Sequence, residues 1–126
     1  MSFAPDEFLA CAKILVNGAD EAHWRSAVSR AYYAAFHKCR DWHGRLPAPG
    51  SASGHGGGTH QVLVNQLANP APEVAQDDRK KSKMLSYLLG AAKTLRHSAD
   101  YELDWHLDQA TCSSQVANIE ALVKRV

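Results

Sequence analysis

The stretch Glu21-Ala-His-Trp24-Arg-Ser-Ala27-Val28-Ser-Arg30-Ala31-Tyr-Tyr33-Ala34-Ala35-Phe-His37-Lys-Cys39-Arg40-Asp-Trp42-His43-Gly44 decides the fold, because it reads as one long helix. Asp20 is a helix-capping residue just before it and Gly44 supplies a stop. At about 100° per residue, Trp24, Val28, Ala31, Ala35, Cys39 and Trp42 share one face, which is expected to enter the core. Ala27, Ala31, Ala34 and Ala35 keep much of the surface small, so neighbouring helices can approach closely and the helix is expected to be central.

Working outward from it, Phe8, Leu9, Ala12, Leu15 and Val16 repeat with helical period after Pro5 and Asp6, and Asn17-Gly18 ends that helix. Towards the C-terminus, residues 45–58 shift to Pro, Gly, Ser and Ala and are expected to form a flexible loop. The glycines there match neither a P-loop nor a dinucleotide fingerprint. Thr59 is placed to cap a short helix carrying Leu63, Val64 and Leu67, closed by Asn69-Pro70. Asp77 or Asp78 is expected to open a fourth helix with an apolar stripe from Met84 to Leu95. A last one, starting near Asp104 or Asp108, repeats apolar residues at Cys112, Val116, Ile119, Val123 and Val126. No strand alternation competes, so the predicted fold is an all-α, up-and-down antiparallel bundle of four long helices and a short one, in a single domain over residues 1–126.

Composition bounds the function. The 126 residues are 45% apolar and 21% charged, ordinary for a globular domain. Apolar runs are too short to cross a bilayer and no secretory signal is visible, so the chain is expected to be cytoplasmic and off the membrane. Cys11, Cys39 and Cys112 are odd in number and widely spaced, which argues against a disulfide framework or a thiolate zinc site. His55 and His60 flank the glycine loop, but without helical ligand spacing, so no metal and no cofactor are expected. A net charge of +1 gives no global basic field, and any nucleic-acid site must be local.

Two constellations offer such a site. Arg30, Tyr33, His37 and Arg40 are spaced three, four and three along the central helix, so donors, aromatic rings and positive charge share one side. That pattern suits base stacking and phosphate contact in single-strand binding, and equally a solvated helix face. The second is Arg96-His97-Ser-Ala-Asp100-Tyr101. Arg96 offers a planar fork for phosphate oxygens, Asp100 can orient it and Tyr101 can donate a hydrogen bond; the bland reading is an Arg-Asp pair joining two helices.

Ser29-Arg-Ala-Tyr-Tyr-Ala-Ala-Phe-His37 in a central helix, followed by Arg96-x-x-Ala-Asp-Tyr101, resembles the HEPN family of small helical prokaryotic proteins. The resemblance implies a helical bundle, homodimerisation, and membership in toxin-antitoxin, defence or RNA-processing systems. It also implies a metal-independent endoribonuclease centre of an arginine, a polar residue and a histidine a few positions later. Arg96 then stands for the arginine and His97 for the polar residue, while Tyr101 occupies the histidine position. Tyrosine, with an ordinary pKa near ~10, is a poor base, so His37 is the histidine that another helix can deliver. The implied function is an RNA-binding protein whose catalytic form is a ribonuclease toxin, with Arg96, Tyr101, His37 and His97 as catalytic candidates and Arg30, Tyr33, Arg40 and Asp100 as RNA- or nucleotide-binding candidates. The alternative is a noncatalytic interaction or nucleotide-binding module that partners a minimal nucleotidyltransferase or an antitoxin.

Overall fold

The computed structural model describes residues 3–52 and 57–126. It is an all-helical bundle of α1 (Pro5–Val16), α2 (Glu21–Gly44), α3 (Thr59–Ala68), α4 (Gln76–Tyr101) and α5 (Gln109–Arg125), with no strand among the described residues.

Local chemistry sets the helix ends. Pro5 opens α1, and the Ala4 N–H donates to Glu7 Oε2 at 2.8 Å. Asp20 caps α2, its Oδ1 accepting from the His23 N–H at 3.1 Å, and Asp108 caps α5 by accepting from the Thr111 N–H at 2.7 Å. Two starts differ from expectation by a residue or two. Helix α3 begins at Thr59 with Gly58 as its cap, and α4 begins at Gln76, which leaves Asp77 and Asp78 inside the first turn, where their charge opposes the helix dipole's positive end favourably.

Helix α2 is central, packing against α1, α4 and α5. Its alanines at 27, 31, 34 and 35 and Ala12 of α1 are fully buried, and these short side chains let the helix axes come close. Leu85 and Leu89 of α4 and Cys112, Val116, Ile119 and Leu122 of α5 complete the core. Burial pushes the Cys39 thiol up to about 12, so it behaves as a small apolar side chain. Ser82 Oγ donates to the Leu67 carbonyl at 2.6 Å and Ser86 Oγ to the Val64 carbonyl at 2.8 Å, which stitches α3 onto α4.

The segment 45–52 is more closely tied down than its composition suggests. Leu46 packs against the core, the buried Gly50 donates its N–H to His43 Nε2 at 3.1 Å, and the Ser51 N–H reaches the Asn69 carbonyl at 2.9 Å. Gly50 abuts the Gln66 carbonyl so closely that a Cβ would stand 1.8 Å from its oxygen, so this position requires glycine. Of the rest of the loop expected over 45–58, residues 53–56 lie outside the described residues, and Gly58 is the N-cap of α3. No helix among the described residues is long and apolar enough to cross a membrane.

Candidate functional site

The functional candidates meet where α2, α3 and the C-terminal half of α4 adjoin. Tyr32, in the middle of α2, is buried, and its Oη lies 2.7 Å from Nδ1 of His60 in the first turn of α3. The Arg96 guanidinium of α4 sits over the Tyr32 ring at 5.1 Å and near the Tyr33 ring at 5.9 Å. Its side chain is only 12% exposed, it faces Asp100 Oδ2 at 3.5 Å, and its buried Nε has no hydrogen-bond partner among the described residues. Asp100 Oδ2 also accepts from Ser29 Oγ at 3.3 Å, so this carboxylate ties α4 to α2.

A cavity of about 410 Å³ opens onto this cluster, lined by Gly57, Gly58, His60, Gln61, Lys93 and Arg96. Lys93 precedes Arg96 by three positions and so lies on the same face of α4. Among the described residues the N-terminus of α3 has no side-chain cap, and its first turn lies at the cavity edge, where a helix presents N–H groups without intrahelical partners. Two cations and a helix N-terminus thus converge, with Asp100 as counter-charge.

The protonation of the pair follows from satisfaction of its donors. Burial pushes the Tyr32 phenol up, more than the nearby Arg96 draws it down, so the hydroxyl keeps its proton. The Arg96 guanidinium, which only donates, also acts on that hydroxyl, so among its neighbours here His60 is the acceptor, and a buried O–H left undonated is costly. We therefore assign Tyr32 as donor and Nδ1 as acceptor, which places the imidazole proton on Nε2. Burial, then the charges of Arg96, Lys93 and His37, hold His60 below its ordinary value, so it is neutral near pH 7.

The sequence candidates divide. Tyr33 and His37 join the cluster through a layer of rings: Tyr33 lies 5.9 Å from His60 and 6.4 Å from His37, and Phe36 lies 4.2 Å from His60. Burial and then Arg40 lower the pKa of His37. Arg30 and Arg40 stand at the margins, Arg30 near Phe8 at 5.8 Å and Tyr33 at 5.3 Å, Arg40 near Phe36 at 5.7 Å. His97 and Tyr101 are not brought to Arg96. Tyr101 is 65% exposed and packs its ring against His97 at 5.0 Å, because one helix step turns His97 about 100° from Arg96.

Sequence reading missed Tyr32, Lys93 and the role of His60. Spacing from Arg96 was the available signal for Lys93; nothing local announced that α3 would lay His60 on Tyr32. It also missed Arg25, whose guanidinium donates to the carbonyls of Ala99 at 3.0 Å and Glu102 at 3.2 Å and, in a short contact, to that of Trp105. Arg25 also binds Glu21 Oε2 at 2.7 Å, so it fastens the end of α4 to the start of α2 and holds Arg96 in register.

No group of three or more His, Cys, Asp or Glu residues is arranged to hold a metal among the described residues. Comparison with known proteins gives no match: no family model fits the chain, and no curated protein or solved structure is significantly similar to it.

Proposed function

We propose that the chain is a HEPN-like RNA-binding protein that holds a backbone phosphate of single-stranded RNA between Arg96, Lys93 and His60. One observation carries the reading: Arg96 lines a cavity beside a second cation, Lys93, and the N-terminus of α3. A guanidinium lining a cavity presents planar N–H donors that an anion's oxygens match. Backbone N–H groups at a helix N-terminus favour the same ligand, and His60 Nε2–H adds a neutral donor. The rings of Tyr33 and His37 beside it suit stacked, unpaired bases.

Endonucleolytic cleavage is the catalytic form of this proposal. The 2'-hydroxyl attacks the adjacent phosphorus and the 5'-oxygen leaves, with Arg96 stabilising the added charge and neutral His37 taking the 2'-hydroxyl proton and returning one to the departing 5'-oxygen. No metal is required by that route. Assembly as a homodimer, in a toxin-antitoxin or defence setting, belongs to the same proposal.

A second reading is favoured by the cover on Arg96. Its contacts with Tyr32 and Asp100 suit a clasp in a noncatalytic module that partners a nucleotidyltransferase or an antitoxin. Incubating purified protein with mixed cellular RNA in EDTA, for wild type and Arg96→Ala, separates the three. Binding and cleavage lost on substitution support the nuclease, binding without cleavage supports the RNA-binding protein, and neither supports the module.

A further inference from the structure

A second cavity, of about 540 Å³, lies between the start of α1 and the C-terminal half of α2 and is lined by Phe3, Pro5, Phe8, His37, Arg40 and Asp41. The Tyr33 ring stands between it and the His60 cluster, 5.9 Å from His60 on one side and 5.9 Å from Phe8 on the other. Its walls are aromatic. Phe8 and His37 are parallel within 8° at 5.7 Å, and Phe3 meets Phe8 edge-on at 4.9 Å while remaining 62% exposed. A large apolar ring left open at the mouth of an aromatic cavity is a surface for another flat ring. The polar groups are a fork and an acceptor: neither the Arg40 side chain, which lies over the Phe36 ring, nor that of Asp41 makes a hydrogen bond or ion pair among the described residues.

We infer that this cavity is a guanine-binding subsite for a nucleotide of the strand whose phosphate lies at Arg96. The inference rests on the RNA-binding reading above and adds the base that the strand presents. A carboxylate only accepts, so it pairs best with two adjacent donors. Guanine offers N1–H beside N2–H₂. Adenine and cytosine each set an amino group beside a ring lone pair that would face the carboxylate, and uracil sets its one N–H between two carbonyls. Arg40 supplies the complementary fork for guanine O6 and N7, a pairing familiar from nucleic-acid readout. Burial and then Arg40 lower the pKa of His37 against the opposing pull of Asp41, so its ring stacks near pH 7 without adding a charge that repels Arg40.

The test uses the full chain and fluorescein-labelled hexauridylate oligomers carrying one central guanosine or one central adenosine, read by anisotropy. Wild type is expected to bind the guanosine oligomer at least about tenfold more tightly, and Asp41→Asn to reduce that ratio to within about threefold, since a bidentate base contact discriminates on that scale. Equal binding of the two oligomers by wild type overturns the subsite and leaves the RNA-binding reading standing. Should neither oligomer bind, that reading fails, and the cavity is judged alone by titrating guanosine and adenosine monophosphate against amide shifts. Shifts at Phe8, His37 and Asp41 with the guanosine nucleotide only then support the subsite, and shifts with neither or with both overturn it.

Discussion

Tyr32 Oη lies 2.7 Å from His60 Nδ1 and joins the middle of α2 to the first turn of α3 across 28 residues of sequence. Tyr32→Phe keeps the ring that packs under Arg96 and deletes only the hydroxyl. The expected cost is about 1 kcal/mol of stability, that of one partly buried hydrogen bond, with a several-fold loss of RNA affinity as His60 is no longer held. Denaturant unfolding and anisotropy check both. Unchanged stability with unchanged affinity would show that the bond positions nothing.

Stability should fall in mild acid. Burial lowers the pKa values of His43 and His60, and burial with Arg40 lowers that of His37, so the unfolded chain takes up protons first as pH drops. Their contribution is complete above about 6.5, the ordinary histidine value, and is lost as pH falls through the lower folded values. His43 has a specific reason: protonated, Nε2 no longer accepts from the Gly50 N–H. Thermal melts between pH 8 and pH 5 test this, with His43→Gln expected to flatten the dependence. A melting temperature that is flat over that range in wild type contradicts it.

Arg25→Ala removes the donors that hold the carbonyls of Ala99, Glu102 and Trp105 and leaves Glu21 without its nearest cation. Because several charge-assisted bonds go together, roughly 2 to 4 kcal/mol of destabilisation is expected. Hydrogen exchange should quicken first at residues 96–101. Loss of stability without local exchange there would mean that Arg25 supports the whole bundle rather than the end of α4.

The fold was largely legible in the sequence because its signals are local and periodic. Asp20, Gly44 and Asp108 mark helix ends by their own chemistry, and the alanine-rich face of α2 announces a central helix. The site was only half legible. Helical spacing placed Tyr33, His37, Arg96 and Asp100, but which histidine meets Arg96 depends on where α3 docks, and that is set by Ser82 and Ser86 on α4 reaching carbonyls of α3. Periodicity carries no such information. Position in a motif pointed to Tyr101, whereas helix geometry turns it outward to His97.

Tyr101→Phe is therefore expected to be silent. The side chain is mostly in solvent and its ring contact with His97 survives the substitution, so stability should change by less than about 0.5 kcal/mol and RNA affinity not at all. A clear loss of binding in this variant would place the functional site on the outer face of α4.

The central claim is that Arg96 grips a phosphate, and the direct measurement is the dissociation constant of single-stranded RNA for wild type and Arg96→Ala across a salt series in EDTA, on protein shown to be folded at the working temperature. The account predicts that the substitution weakens binding by about 1.5 to 3 kcal/mol and lowers the slope of log affinity against log salt by about 0.7, the signature of one lost phosphate contact on a single strand. Wild-type affinity and an unchanged slope in folded Arg96→Ala, or no binding by wild type at low salt, would contradict it.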